Sequence, residues 1–220
     1  MSFCIAGLLT ACGGGGSGPV ASIPAPEKHL ISANLIEWYG DSTSAGVDGT
    51  YLPANHICPC NVVMVPAPVS FVPKVVNKSV GGMAAADLLH GSASLGVLPW
   101  STQMRNSLAD VVVISVGIND SFSASLDDYR ATLTELVREA TQAGKRVILA
   151  TENPTERPQV RTYMQAMRDV ATSSGVALVD TEAWMDGKIS GDLTAFVPDG
   201  IHPNAATYKL MGQWLAAQSF

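Results

Sequence analysis

Val111-Val112-Val113-Ile114-Ser115-Val116-Gly117-Ile118-Asn119-Asp120 is the stretch that decides the fold. The run from Val111 to Val116 is short and β-branched, closed by Asp110 before it and Gly117 after it. Such a run suits a strand buried on both faces. Strands of that kind belong to parallel sheets with helices packed on either side.

Reading onward from it, Leu126, Tyr129, Leu133, Leu136, Val137 and Ala140 recur at helical spacing. Ser125 is placed to cap that helix, Asp127 and Asp128 suit its first turn, and Gly144 ends it. Val147 to Ala150 reads as the next strand. Val160, Met164, Met167 and Ala171 mark another amphipathic helix, closed near Gly175, and Val176 to Val179 is a further strand. A final helix is expected over Pro203–Gln218, with Leu210 and Trp214 on one face. Toward the N-terminus, Leu30 to Tyr39 ends in a plausible strand, Val75 to Val80 is a weaker one, and Met83 to His90 reads as a helix. Strand and helix alternate throughout, as right-handed βαβ units require, and no internal repeat is visible.

Composition bounds the partners. The chain has 220 residues, which allows one domain and a tail. Hydrophobic residues make up 47% of it, enough for a sizeable core. Lys and Arg number 13 against 19 Asp and Glu, for a net charge of −6, and no basic run occurs. Nucleic acid is therefore excluded as an expected partner, because phosphate binding needs clustered cations. No apolar stretch approaches the ~18 residues of a spanning helix.

Three fragments fall where sites form in such folds, at the C-terminal ends of strands. Gly40-Asp41-Ser42 follows the first strand, Gly117-Ile118-Asn119-Asp120 follows the central one, and Asp199-Gly200-Ile201-His202 precedes the last helix. Taken singly, each reads as punctuation: a turn, a strand-to-loop transition, a helix start. Jointly they supply what acyl transfer needs. A serine hydroxyl requires a base, which a histidine provides near neutral pH. A carboxylate three residues away, Asp199, is close enough to orient the His202 ring. The oxyanion needs N–H donors, available from Asn119 and from the backbone of Ser42 and a nearby glycine.

With these residues in view, the chain resembles the SGNH (GDSL-type) hydrolases. Gly40-Asp41-Ser42 matches the first family block, with Thr43 in place of the usual Leu at a position without a chemical role in the family. Asn77-Lys78-Ser79-Val80-Gly81-Gly82 resembles the second, Gly117-Ile118-Asn119-Asp120 the third, and Asp199-Gly200-Ile201-His202-Pro203 the last. Four blocks in order over about residues 34–218 are a specific signal. The resemblance implies a three-layer α/β/α sandwich with a central parallel sheet, flavodoxin-like in layout. It implies Ser42 as nucleophile and backbone oxyanion donor, Gly82 (or Gly81) as a second donor, Asn119 as the third, His202 as base and Asp199 as its partner. Asp41 is expected to support the turn through hydrogen bonds. His29, His56 and His90 read as structural. The substrates implied are carboxylic esters: short acyl esters, lysophospholipids, thioesters or acetylated sugars, with no metal and no cofactor. An acyltransferase acting on a glycan from the same site is the alternative, and a non-catalytic glycan-binding surface protein the third reading.

Residues 1–28 read as a signal and linker, leaving 29–220 for the hydrolase domain. Leu9-Thr10-Ala11-Cys12 after the apolar Phe3–Leu9 run resembles the lipobox of bacterial lipoproteins, although no Lys or Arg precedes it. That resemblance implies cleavage before Cys12, a lipid on its thiol, and export to the cell envelope, on the outer membrane or facing the periplasm. The Pro-rich stretch 47–73 either shapes a pocket, through Tyr51, Met64 and Phe71, or covers the sheet edge. Within it, Cys58-Pro59-Cys60 is open to three readings: a strained disulfide, free or intermolecular thiols, or, with His56, an incomplete metal site.

Overall fold

The computed structural model describes residues 35–45, 74–189 and 191–216. The expectations for Cys12, His29, His56, Cys58 and Cys60, and for Tyr51, Met64 and Phe71, lie outside the described residues.

Among the described residues, five strands form one sheet: β1 (Leu35–Gly40), β2 (Lys74–Asn77), β3 (Val111–Ser115), β4 (Arg146–Ala150) and β5 (Ala177–Val179). Their order is β2-β1-β3-β4-β5, and every neighbouring pair is parallel. β3 is central and buried along its whole length, as its β-branched run requires. Its side chains divide between two cores. Val112 and Ile114 join Tyr39, Leu149 and the helices α2 (Ala85–His90), α3 (Trp100–Asn106), α5 (Leu126–Gln142) and α6 (Pro158–Ser174). Val111 and Val113 join Ile36, Trp38, Ile148 and Val179 on the opposite face, under Leu215 of α8 (Ala205–Ala216). This is a three-layer α/β/α sandwich. The short helices α1 (Ser42–Ala45), α4 (Asp120–Ser123) and α7 (Thr181–Asp186) complete it.

The chain leaves β1 for β2 on one side, and later strands extend from β3 on the other. The strand order therefore reverses between β1 and β3, which opens a crevice at their C-terminal ends. The register pairs Gly40 with Ser115, so the two strands end level there. Ser42 and Asn119 each follow one of these two ends. Gly40 has to be small: a Cβ there would lie 2.6 Å from Ser44 Oγ and 3.0 Å from the Ser115 carbonyl.

Helix ends follow their sequence signals. Ser125 Oγ accepts from Asp128 N–H at 3.1 Å, which caps α5. Gly175 closes α6 in the left-handed conformation. The short helices α1, α4 and α7 were not anticipated, and three further details differ in ways that bear on packing. β2 stops at Asn77, after which Lys78 and Val80 N–H still donate to β1 carbonyls. The final helix begins at Ala205 and its inward face carries Thr207, Met211 and Leu215, while Leu210 points outward at 48% exposure. Helix α3 was not anticipated, because only Trp100 and Met104 of its seven residues are buried. Trp100 is nonetheless central: it meets Tyr39 edge-on at 4.7 Å and donates to the Leu136 carbonyl at 2.9 Å.

Beyond the sheet, Arg168 of α6 bonds both Asp180 oxygens, at 2.8 and 2.7 Å, and Glu182 at 2.8 Å. Burial pushes the Glu182 carboxyl up, and the Arg168 guanidinium partly offsets it. Arg168→Met is expected to destabilise the fold by about 2–3 kcal/mol, somewhat under the cost for a fully buried pair, since Glu182 loses its hydrogen-bonded cation and keeps only Arg161, 3.7 Å away. The urea midpoint measures this, and an unchanged midpoint would count against the pair.

Candidate active site

Ser42 opens α1 directly after β1, so its hydroxyl stands at the mouth of the crevice. Its Oγ lies 2.9 Å from His202 Nε2. On the other side of the ring, Nδ1 lies 2.7 Å from Asp199 Oδ2. Residues 160 apart in sequence thus meet in one line. Asp199 also folds its own loop: Oδ1 accepts from Ile201 N–H at 2.9 Å and from His202 N–H at 2.6 Å. The small burial of this carboxyl pushes it up, but the His202 and Ile201 hydrogen bonds outweigh that and hold it down at about 2. It is therefore an anion at any working pH and keeps the ring proton on Nδ1, leaving Nε2 free to accept the Ser42 proton.

The second family block runs beside the serine. A Cβ on Gly81 would come within 3.9 Å of Ser42 Cβ, and Gly82 turns with φ +81°. Asn119, next to α4, comes from the end of β3. Its amide donates to Asp41 Oδ2 at 2.8 Å and to the Met83 carbonyl at 3.2 Å. One amide so links the first block, through Asp41, with the residue after Gly82. The longer bond to Met83 is the weaker tether, and turning that hydrogen toward an oxyanion costs least. Ser42, Asn119, Asp199 and His202 are brought together as the sequence suggested, with Gly81 and Gly82 alongside. His90, exposed at the end of α2, stands outside the group.

Beneath the serine lies a layer of buried acids. Asp41, fully buried, accepts from Thr43 N–H at 2.8 Å and Thr43 Oγ1 at 2.9 Å, in the supporting role expected of it. Thr43, which stands in place of the usual Leu of the first block, is thus part of the turn's bonding. Asp120 accepts from Ala85 N–H with both oxygens, at 3.0 and 3.1 Å, and so ties α4 to the start of α2. Burial, only partly offset by the Ala85 N–H, pushes Asp120 up to about 7. Glu152, just past β4, accepts from Ile118 N–H at 2.7 Å. Burial raises it well above the usual carboxyl range, and the neighbouring Asp41 raises it further. Asn153 follows it, buried, and donates to the Ile201 carbonyl at 2.8 Å beneath His202. Sequence reading missed Glu152 and Asn153. The available signal was a carboxyl and an amide placed directly after an apolar strand.

A family model described as the GDSL-like lipase/acylhydrolase family matches residues 38–210. The chain belongs to this family. As an SGNH-type hydrolase it is a serine ester hydrolase, and its three-layer α/β/α sandwich is the fold of its structural relatives. One curated relative, an acetylxylan esterase from Geobacillus stearothermophilus, is 27% identical over 159 residues, 64% of this chain and 69% of that one. The crystal structure of an acetylxylan esterase from the same organism superposes with a TM-score of 0.62 at 20% identity, covering 83% of this chain and 92% of that one. A GDSL-like lipase from Parabacteroides merdae superposes with a TM-score of 0.65 at 15% identity, over 86% and 96% of the two chains.

Proposed function

We propose that this SGNH hydrolase removes acetyl groups from acetylated carbohydrate through an acyl-enzyme on Ser42. The observation that carries the triad is the continuous line from Ser42 Oγ to His202 Nε2 at 2.9 Å and from Nδ1 to Asp199 at 2.7 Å. Ser42 Oγ attacks the ester carbonyl carbon while Nε2 takes its proton. The carbonyl oxygen becomes an oxyanion facing the N–H groups of Ser42 and Gly82 and the Asn119 amide. Its collapse expels the sugar alkoxide, which takes the proton from His202. Water then attacks the acyl carbon, losing its proton to His202, and acetate leaves as Ser42 regains its own.

The acetyl-sugar reading is supported by the acetylxylan esterase relative, similar over most of both chains. In that organism's enzyme, variants described as catalytic mutants replace a serine, an aspartate and a histidine. Acetate release from acetylated xylooligosaccharides tests it, set against p-nitrophenyl octanoate and a lysophospholipid. Faster turnover of the sugar acetate is the expected result. Turnover of the octanoate or the lysophospholipid without acetate release from the sugar overturns the proposal.

Asn119→Ala is expected to lower kcat by about 10²–10³-fold with little change in KM, the usual cost of one oxyanion donor. A rise in KM at unchanged kcat would instead make Asn119 a ground-state binding group.

The resemblance of Leu9–Cys12 to a lipobox extends this proposal to a place of action: the cell envelope, with Cys12 as the lipid anchor. Metabolic labelling with a palmitate analogue, abolished by Cys12→Ala, is the expected outcome. An unlabelled wild-type protein rejects it.

A further inference from the structure

We infer that Glu152 is a positioning residue that, as the neutral acid, braces the nucleophile turn against the oxyanion loop. The inference rests on the roles proposed above for Ser42 and Asn119. Glu152 is 2% exposed and lies between the two segments. Its Oε2 accepts from the N–H of Ile118, the residue before Asn119, at 2.7 Å. Its Oε1 lies 3.2 Å from Oγ1 of Thr43, the residue after Ser42. The carboxyl is also hydrogen-bonded to that of Asp41, the residue before Ser42. Both neighbours of the nucleophile and the neighbour of the oxyanion amide therefore converge on one side chain.

Two buried carboxyls in hydrogen-bond contact hold one proton between them, since the second charge would have neither solvent nor counterion. Asp41 is the better anion. It accepts from Thr43 N–H, Thr43 Oγ1 and the Asn119 amide. Glu152 accepts from one N–H, and the proton stays with it. The other groups facing it are Asp120 at the start of α4, Tyr129 of α5 and Tyr208 of α8, and none of them favours a second anion. The site so needs one group that donates toward Asp41 and accepts from Ile118. A neutral carboxylic acid does both, and so does an amide; a hydrocarbon does neither. Ionised Glu152 would repel Asp41 and press the serine turn away from the Asn119 loop.

The test compares the wild type with Glu152→Gln and Glu152→Leu on p-nitrophenyl acetate, with a fluorophosphonate probe counting competent Ser42 sites. Glu152→Leu strands the Ile118 N–H, and kcat per labelled site is expected to fall about 10–100-fold at near-constant KM. Glu152→Gln is expected to recover most of that loss. Wild-type kcat per site in the Leu variant overturns the inference, as does a Gln variant impaired as deeply as Leu. Should the Leu variant fail to fold, the pH dependence of Tm decides between wild type and Gln. A carboxyl raised in the folded state loses stability as pH climbs from its unfolded value toward its folded one. The wild-type Tm should therefore fall relative to Glu152→Gln as pH rises from about 5 to 8, because only the wild type has that group to ionise. Parallel Tm curves overturn the inference. Failure of the triad reading would show separately, as activity retained in Ser42→Ala.

Discussion

Ser42→Ala is expected to lower kcat on p-nitrophenyl acetate by about 10⁴–10⁶-fold. On the proposed mechanism the hydroxyl oxygen is the atom that forms the acyl-enzyme, and His202 Nε2 is aligned with it at 2.9 Å. His202→Ala is expected to cost a similar factor, and the double variant little more than either single one. The two groups act in one proton transfer, so removing the second deletes nothing further. The residual rate belongs to the oxyanion donors, which both substitutions leave in place. Stability should hardly change, because Ser42 is only partly buried and the bonds among Asp41, Thr43 and Asn119 do not involve its Oγ. Burst and steady-state kinetics on the three variants measure this. More than about a tenth of wild-type kcat in Ser42→Ala would move the nucleophile elsewhere.

Asp199→Asn is expected to cost about 10²–10⁴-fold in kcat. The asparagine oxygen can still accept from Ile201 and His202 N–H, so the loop should keep its shape. Its amide then faces Nδ1 as a donor, which forces the ring proton onto Nε2. In that tautomer Nε2 points a hydrogen at Ser42 Oγ and cannot take its proton. The Asp199 carboxyl sits at about 2, so it stays ionised throughout the range in which the enzyme is assayed. Titration of Asp199 itself should accordingly add no pH dependence to the deficit between about pH 5 and 8. Asp199 makes its own contribution to stability above the ordinary carboxyl value, and this is lost as pH falls toward about 2. A kcat within tenfold of wild type at every pH would reduce Asp199 to a loop-forming residue.

Much of the scaffold was legible because its signals are local. The β-branched run at Val111–Val116, the cap at Ser125 and the glycine at Gly175 each act on their own neighbours, and each element formed where its signal stands. Signals that depend on a partner were harder to read. Trp100 and Met104 give too short a pattern for a helix until Tyr39 and the Leu136 carbonyl are beside them. Leu210 has the right period for the last helix, yet Met211 and Leu215 face inward, because the packing of α8 on the sheet sets its rotation. The candidate site was legible in another sense. Ser42, Asn119, Asp199 and His202 carry residue types whose combination has few chemical uses, so their assembly could be expected without knowing the path between them.

The sequence by itself determined an alternating α/β chain and the members of the candidate site. Periodicity, capping and motif identity reside in neighbouring residues and survive without coordinates. Only the tertiary structure decided which face of α8 is buried, that Thr43 and Asp41 share bonds, and that Glu152 is buried against Ile118 N–H and Thr43 Oγ1. Those outcomes depend on burial. A carboxyl is an ordinary surface charge in sequence, and becomes a proton-holding strut only when the end of β4 carries it beneath the β1–β3 crevice, away from water and against a second carboxyl.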